Sequence, residues 1–373
     1  MPRIVIIGGG PAGATVASML ARNGLAVQVW EARRGPAIKV GECLPPSVNP
    51  LLEHLGLVER LRGGNHIASY GSRSVWGSPV PVDRDFIFGT NGNGWHLDRF
   101  KFEESLAHAA VEAGVDWRYG HRLIACSRET HGWRLAVRTP QGTEFSDADF
   151  VVDASGRVAR LSRLLGTRTI VYDRLIGAAV FMQSYDGSGD SDARTLIEAV
   201  PSGWWYSATL PGGKLIAVYM TDNDLVDPAL LRRADEWQAL MRKAKHTHQR
   251  VAGGHFRSLG VPRLLMAHNA RLSQMVGDRW LAVGDAAAAY DPLSSYGISS
   301  AMGNGLYAAS AIVSFLTGEK DALRSFAEIV DRTYARYLLM HHDRYLMERR
   351  WPREPFWQRR HSPTFELNDI ARS

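Results

Sequence analysis

The run Val5-Ile-Ile-Gly8-Gly-Gly10-Pro-Ala-Gly13 leaves the chain little choice in how it begins to fold. Residues 3–7 are apolar and β-branched, the pattern of a buried strand. Residues 13–23 then place Ala14, Ala17, Ser18 and Ala21 together, a helix face small enough to pack tightly on a sheet. Residues 26–30 form a second apolar strand, so the chain opens with a βαβ unit. Glycines between strand and helix let the backbone turn sharply and approach a pyrophosphate, and the helix N-terminus presents unpaired N–H groups and partial positive charge to it. Glu31 closes the second strand, where an acid receives a ribose hydroxyl pair and disfavours a 2′-phosphate. Gly8, Gly10, Pro11, Ala12, Gly13 and Glu31 are the predicted dinucleotide-binding set.

Two later segments narrow the dinucleotide to FAD. VVDASGRVAR (151–160) and WLAVGDAAAAYDP (280–292) are each an apolar strand ending in a small-residue turn with an acid. A simple NAD dehydrogenase has no use for both; a long flavin dinucleotide does. Gly284 and Asp285 are placed to meet the ribityl chain, with Pro292 closing the segment. Gly297 and Ile298 begin a helix whose positive end would face the flavin pyrimidine and stabilise negative charge on the reduced ring.

The middle of the chain changes period. Residues 195–200, 204–210 and 215–221 alternate, are rich in aromatic and β-branched residues, and are separated by Pro201-Ser-Gly203 and Pro211-Gly-Gly213. That is an antiparallel meander. Helices are expected at 102–113, at 228–244, at 297–316 and over most of the last fifty residues, with further strands at 150–152 and 280–283. The fold class is therefore α/β: a Rossmann-like FAD-binding body (1–64, 98–165 and 270–320), an inserted antiparallel-sheet substrate domain (65–97 and 166–269) and a helical C-terminal segment (321–373).

Bulk properties set the remaining limits. A net charge of +6, from 44 basic and 38 acidic residues spread along the chain, fits an enzyme with an anionic ligand better than a nucleic-acid binder. No apolar run reaches the ~18 residues a membrane span needs. The opening lacks a charged-then-apolar leader, and two cysteines allow at most one bridge, so a reduced, cytoplasmic protein is expected. His246-Thr-His248 and His341-His342-Asp343 lack a third ligand at a recognised spacing, so no metal is expected.

The glycine fingerprint, the DASG turn and the GD-x(6)-P segment together resemble the flavoprotein monooxygenase superfamily, which includes aromatic hydroxylases and flavin halogenases. The resemblance implies non-covalent FAD of the aromatic-hydroxylase type, an Arg99 that contacts it, and no separate NAD(P)H domain; NAD(P)H or reduced flavin would be a transient reductant. Halogenases share Gly41-Glu42 followed by prolines, but their lysine has no counterpart, because none lies between Lys39 and Lys101. Their W-x-W-x-I-P motif would fall on Tyr206-Ser-Ala208-Thr-Leu210-Pro211, which differs at both tryptophans.

Five segments are similar to LodB-like flavoproteins: GECLPPSV (41–48), DFIF with GWHLDRFKFEESL (85–106), GWWYSATLPGG with AVYMTD (203–222), GDAAAAYDPLSSYGI (284–298) and ERRWPREPFWQRR (348–360). This resemblance implies oxygenation of a tryptophan side chain in a precursor protein, the partner, during biogenesis of a tryptophylquinone cofactor. Small-molecule hydroxylation or halogenation, and a non-catalytic flavin-binding scaffold, are the alternatives. The candidate catalytic residues are Glu42, a proton-handling acid; His96, a base or relay; and Cys43, which stands where relatives carry serine, so that an obligatory thiol nucleophile is not expected. Trp95, Trp204, Trp205 and Tyr206 are candidates to line an aromatic substrate pocket, with sheet core as the alternative role. The arginine- and tryptophan-rich tail reads as a segment clamped on the body, with a docking surface as the alternative.

Overall fold

The computed structural model describes residues 1–37, 39–185, 187 and 192–362. The opening strand, Arg3–Ile7, lies inside a six-stranded sheet between Ala26–Glu31 and Phe150–Asp153. These pairings are parallel, as are those outward to Asp116–Tyr119 and Trp280–Ala282; a short antiparallel strand, Val276–Gly277, ends the sheet. All four of Ile4, Val5, Ile6 and Ile7 are buried, as expected for a strand covered on both faces. The helices Pro11–Arg22 and Gly297–Leu316 pack together beside it, and Gly305 meets Thr15 where a β-carbon would not fit.

A second, eight-stranded sheet carries the substrate-domain strands. Leu175–Ser184, Lys214–Asp222, Gly203–Leu210 and Thr195–Val200 run antiparallel in that order, and Thr195–Val200 then pairs in parallel with Gly71–Val75. A three-stranded sheet bridges to the first body: Gly94–His96 lies between Cys43–Leu44 and Ile67–Ser69. This bridge sets residues from the 40s loop opposite His96.

Two expectations are adjusted by the structure. The helix expected over 228–244 is two helices, Pro228–Leu231 and Ala234–Met241. Asp227 caps the first, and an extended Arg233 begins the second with Asp235 and Glu236 in its first turn. The break lets Leu231, Trp237 and Met241 all reach one apolar cluster, with Trp237 donating to the Ala178 carbonyl. The helix expected at 102–113 begins earlier, as Arg99–Glu112, because Asp98 caps it by accepting from the Lys101 amide.

The C-terminal segment closes on the body. After the helix Ala322–Leu346, Phe356 and Trp357 are buried against the eight-stranded sheet, and Trp357 donates to the Val200 carbonyl. Glu348, also buried, accepts from the Gly77 amide and from Arg350. Arg360 is paired with the buried Asp222 at 2.8 Å. The tail is thus part of the core. Trp357→Ala is expected to destabilise the protein by about 3–5 kcal/mol in urea unfolding, the usual cost of deleting a large buried aromatic.

Candidate active site

The glycine loop is built from backbone contacts. A β-carbon on Gly13 would lie 2.0 Å from the Gly8 carbonyl oxygen, so helix and loop touch as only glycine permits. Gly10 is the N-cap of the first helix, followed by Pro11 and Ala12. A β-carbon there meets no protein atom within 4 Å, which makes it the open side of the cradle. Glu31 stands at the loop and accepts from the Gly9 amide at 2.9 Å and the Arg33 amide at 2.8 Å.

Arg99 reaches across to the loop after Ile38 and donates to the carbonyls of Val40 and Gly41, at 3.1 and 2.7 Å, while pairing with Glu103. Gly41 turns there with φ of +101°. The buried Nε of Arg99 has no partner among the described residues, an unspent donor beside that loop. Asp285 follows Gly284 on a 3₁₀ turn, 3.6 Å from Arg157, and burial pushes its carboxyl upward. Asp291 caps the turn that begins at Pro292. Its other oxygen accepts from Tyr345 at 2.8 Å and pairs with His341 at 2.9 Å; despite burial, those bonds hold its carboxyl low. Gly297 and Ile298 then start the twenty-residue helix, its first turn open to solvent at Gly297. The open face at Gly10, the unpaired Arg99 Nε and the carboxylates of Glu31 and Asp285 fit a flavin dinucleotide along this edge.

Beside the bridging sheet, Glu42 is buried, 1% exposed. Burial raises its pKa to about 7, opposed by Arg99. One carboxylate oxygen accepts from the Tyr206 hydroxyl at 3.5 Å; the other, Oε1, has no partner among the described residues. Cys43 Sγ lies 3.0 Å from the Tyr206 hydroxyl and 3.2 Å from Thr195 Oγ1, and burial pushes its thiol up to about 11. That is the opposite of an activated thiolate. His96 pairs with Thr195 through Nε2 and with Thr209 through Nδ1, both at 3.2 Å. Burial, then the nearby Arg250, lowers its pKa to about 4, so it is neutral at ordinary pH.

The structure thus brings Glu42, Cys43, His96 and Tyr206 together. It separates the tryptophans. Strand alternation sends Trp204 and Tyr206 to one face and Trp205 to the other. Trp204 donates to Tyr345 and packs with Trp76 under the tail. Trp205 stacks on Tyr219 and meets Trp237 in the far cluster. Trp95 is half-buried in the bridging sheet and donates to Asn49. Sequence reasoning gave no role to Thr195, Thr209, Asn49 or Arg157, although Arg157 lies in VVDASGRVAR and Thr209 in GWWYSATLPGG. Arg157 ties the two acidic turns together by donating to the His268 and Tyr290 carbonyls. Asp153 of the DASG turn is spent on that turn, accepting from Ser155 and Ser162. Among the described residues no group of three or more His, Cys, Asp or Glu side chains is placed to hold a metal, and no helix is long and apolar enough to cross a membrane.

Residues 2–327 match the model of the FAD binding domain family. The chain is 32% identical over 363 residues to the FAD-dependent oxidoreductase LodB of Marinomonas mediterranea, covering 96% of both. It is 27% identical to the flavin-dependent halogenase armH3 of Armillaria mellea, over 90% of this chain and 73% of that one. Among solved structures, the myxobacterial chondrochloren halogenase CndH superposes with a TM-score of 0.88 at 23% identity, covering all of this chain and 88% of that one, a likeness of fold. The peptidyl tryptophan dihydroxylase QhpG, essential for tryptophylquinone cofactor biogenesis, superposes with a TM-score of 0.78 at 25% identity, over 97% of this chain and 79% of that one. The chain belongs to the FAD-binding-domain family, as a LodB-like FAD-dependent oxidoreductase of the flavin monooxygenase and halogenase superfamily.

Proposed function

We propose that this enzyme hydroxylates a tryptophan side chain in the precursor of a quinone-cofactor oxidase. The observation that carries the reading is the end-to-end similarity to LodB, tail included, together with the match to a peptidyl tryptophan dihydroxylase. Bound and reduced FAD, with electrons from NAD(P)H or free reduced flavin, would supply activated oxygen. The protein's own residues do the rest. The glycine loop, Glu31, Arg99, Asp285 and the start of the helix Gly297–Leu316 hold and orient the cofactor. Glu42, buried and close to half-protonated at neutral pH, holds a proton at the substrate side. Tyr206 borders that region, and an electron-rich indole held there, away from water, is oriented for attack. Two unbridged cysteines suit the reducing cytoplasm, where a precursor would be met.

Halogenation is the second reading, favoured by the many halogenase-like relatives. It lacks a lysine anywhere from Val40 to Phe100. Reductant consumption separates the two. With precursor protein, oxygen uptake should couple to product; with free indoles, it should run mainly to hydrogen peroxide. Efficient, halide-dependent turnover of a free aromatic would replace the first reading by the second.

A further inference from the structure

We propose that Glu42, Tyr206, Cys43, Thr195 and His96 form a directional proton relay, in which Thr195 is the positioning residue that sets the direction. The role rests on the oxygenation read above; the polarity of the chain does not.

The argument is a count of hydrogens. Tyr206, Cys43 and Thr195 each own a single proton to donate, and neutral His96 owns one on either nitrogen. Each of the three has two partners in the chain, so each donates to one and accepts from the other. With Glu42 ionised, Tyr206 must donate to it, because a carboxylate only accepts. Cys43 then donates to Tyr206, Thr195 to Cys43, His96 Nε2 to Thr195, and Thr209 to His96 Nδ1. All links point toward Glu42.

Adding one proton at the Thr209 end shifts each proton one place. The Tyr206 proton moves to Glu42, the Cys43 proton to Tyr206, the Thr195 proton to Cys43, the Nε2 proton of His96 to Thr195, and the Thr209 proton to His96 Nδ1. Water supplies the proton that Thr209 gives up. Every O–H, S–H or N–H bond broken is matched by one formed, with no redox change. Glu42 ends neutral, His96 has changed tautomer, and the chain points the other way. Oε1 of Glu42 is buried and has no hydrogen-bond partner among the described residues. The charged groups facing this chain are Arg99 at Glu42, Arg250 at Tyr206, Cys43 and His96, and Asp192 at His96; Lys39 and Glu103 stand behind Arg99. Cysteine serves because its thiol both donates and accepts, a property it shares with serine and not with alanine.

The test is the tautomer of His96 in the FAD-bound enzyme, read by nitrogen-15 NMR with His96→Gln identifying the signal. From about pH 5.5 to about pH 8.5 the Nδ1–H form should give way to Nε2–H while the ring stays neutral. Glu42→Gln and Thr195→Val should each remove that transition; Thr195→Ser and Cys43→Ser should keep it, and Cys43→Ala should lose it. In turnover, Thr195→Val should lower kcat at least about tenfold with little change in KM, and Thr195→Ser should restore it. One tautomer throughout the range in the parent enzyme, or an unchanged transition in Thr195→Val, overturns the relay. Because no substrate enters the NMR measurement, either result stands whether or not tryptophan is the target.

Discussion

Gly10→Ala should fold like the parent and hold FAD at least about 100-fold more weakly, a loss of about 3 kcal/mol of binding. A β-carbon at Gly10 meets no protein atom, so the free protein has nothing to lose. It does project from the N-cap of the first helix, where the pyrophosphate must approach the backbone. Gly13→Ala should behave differently. Its β-carbon would fall 2.0 Å from the Gly8 carbonyl oxygen, so helix and loop must part. That variant should lose about 3 kcal/mol or more of folding stability as well as the cofactor. Flavin absorbance retained after desalting, with urea midpoints of the apo proteins, distinguishes the two. Parent-like affinity in Gly10→Ala would show that the pyrophosphate lies elsewhere.

The second large effect is in pH and stability. Glu42 has its folded pKa raised from 4.5 to about 7, so the folded state keeps a proton that the unfolded chain releases. Its contribution is fully present below pH 4.5 and is lost as pH rises through about 7, by about 3 kcal/mol. His96 moves the other way: its folded pKa falls from 6.5 to about 4, so stability is present above 6.5 and lost as pH falls toward 4, again by about 3 kcal/mol. Between about pH 4.5 and 6.5 the two slopes oppose and nearly cancel. Relative to the parent, Glu42→Gln should therefore gain about 3 kcal/mol as pH rises from 4.5 to 7. His96→Gln should lose a similar amount, relative to the parent, between pH 4 and 6.5. Urea unfolding of apo protein across pH measures both, and parallel curves for all three proteins would mean that neither group is titrated as its burial requires.

Local chemistry made part of this molecule legible. The opening strand, glycine loop and helix follow from rules that act within a few residues, and the small-residue helix Gly297–Leu316 was bounded by its own pattern. The three strands Arg122–Glu129, Gly132–Thr139 and Gly142–Ala148 escaped notice because the outer two are largely exposed and carry mixed polar sequence. The broken helix at Arg233 answers to a distant need, the burial of Trp237 against Ala178. Glu42, Cys43, His96 and Tyr206 stand out in their local segments, but their joining through Thr195 into one chain cannot be read locally. Cys43 and Thr195 are 152 positions apart; Cys43 pairs with His96 of the bridging strand, and His96 bonds Thr195. Trp204, Trp205 and Tyr206 look like one aromatic group in sequence, but a strand's period of two divides them between two faces.

The central claim is oxygenation of a protein-borne tryptophan. Co-expression with the precursor of a quinone-cofactor oxidase, followed by peptide mass spectrometry, tests it directly. Oxygen should be added to a single tryptophan with the parent enzyme, and should be absent with Gly10→Ala. An unmodified precursor beside rapid oxygenation or halogenation of a free aromatic compound would contradict it.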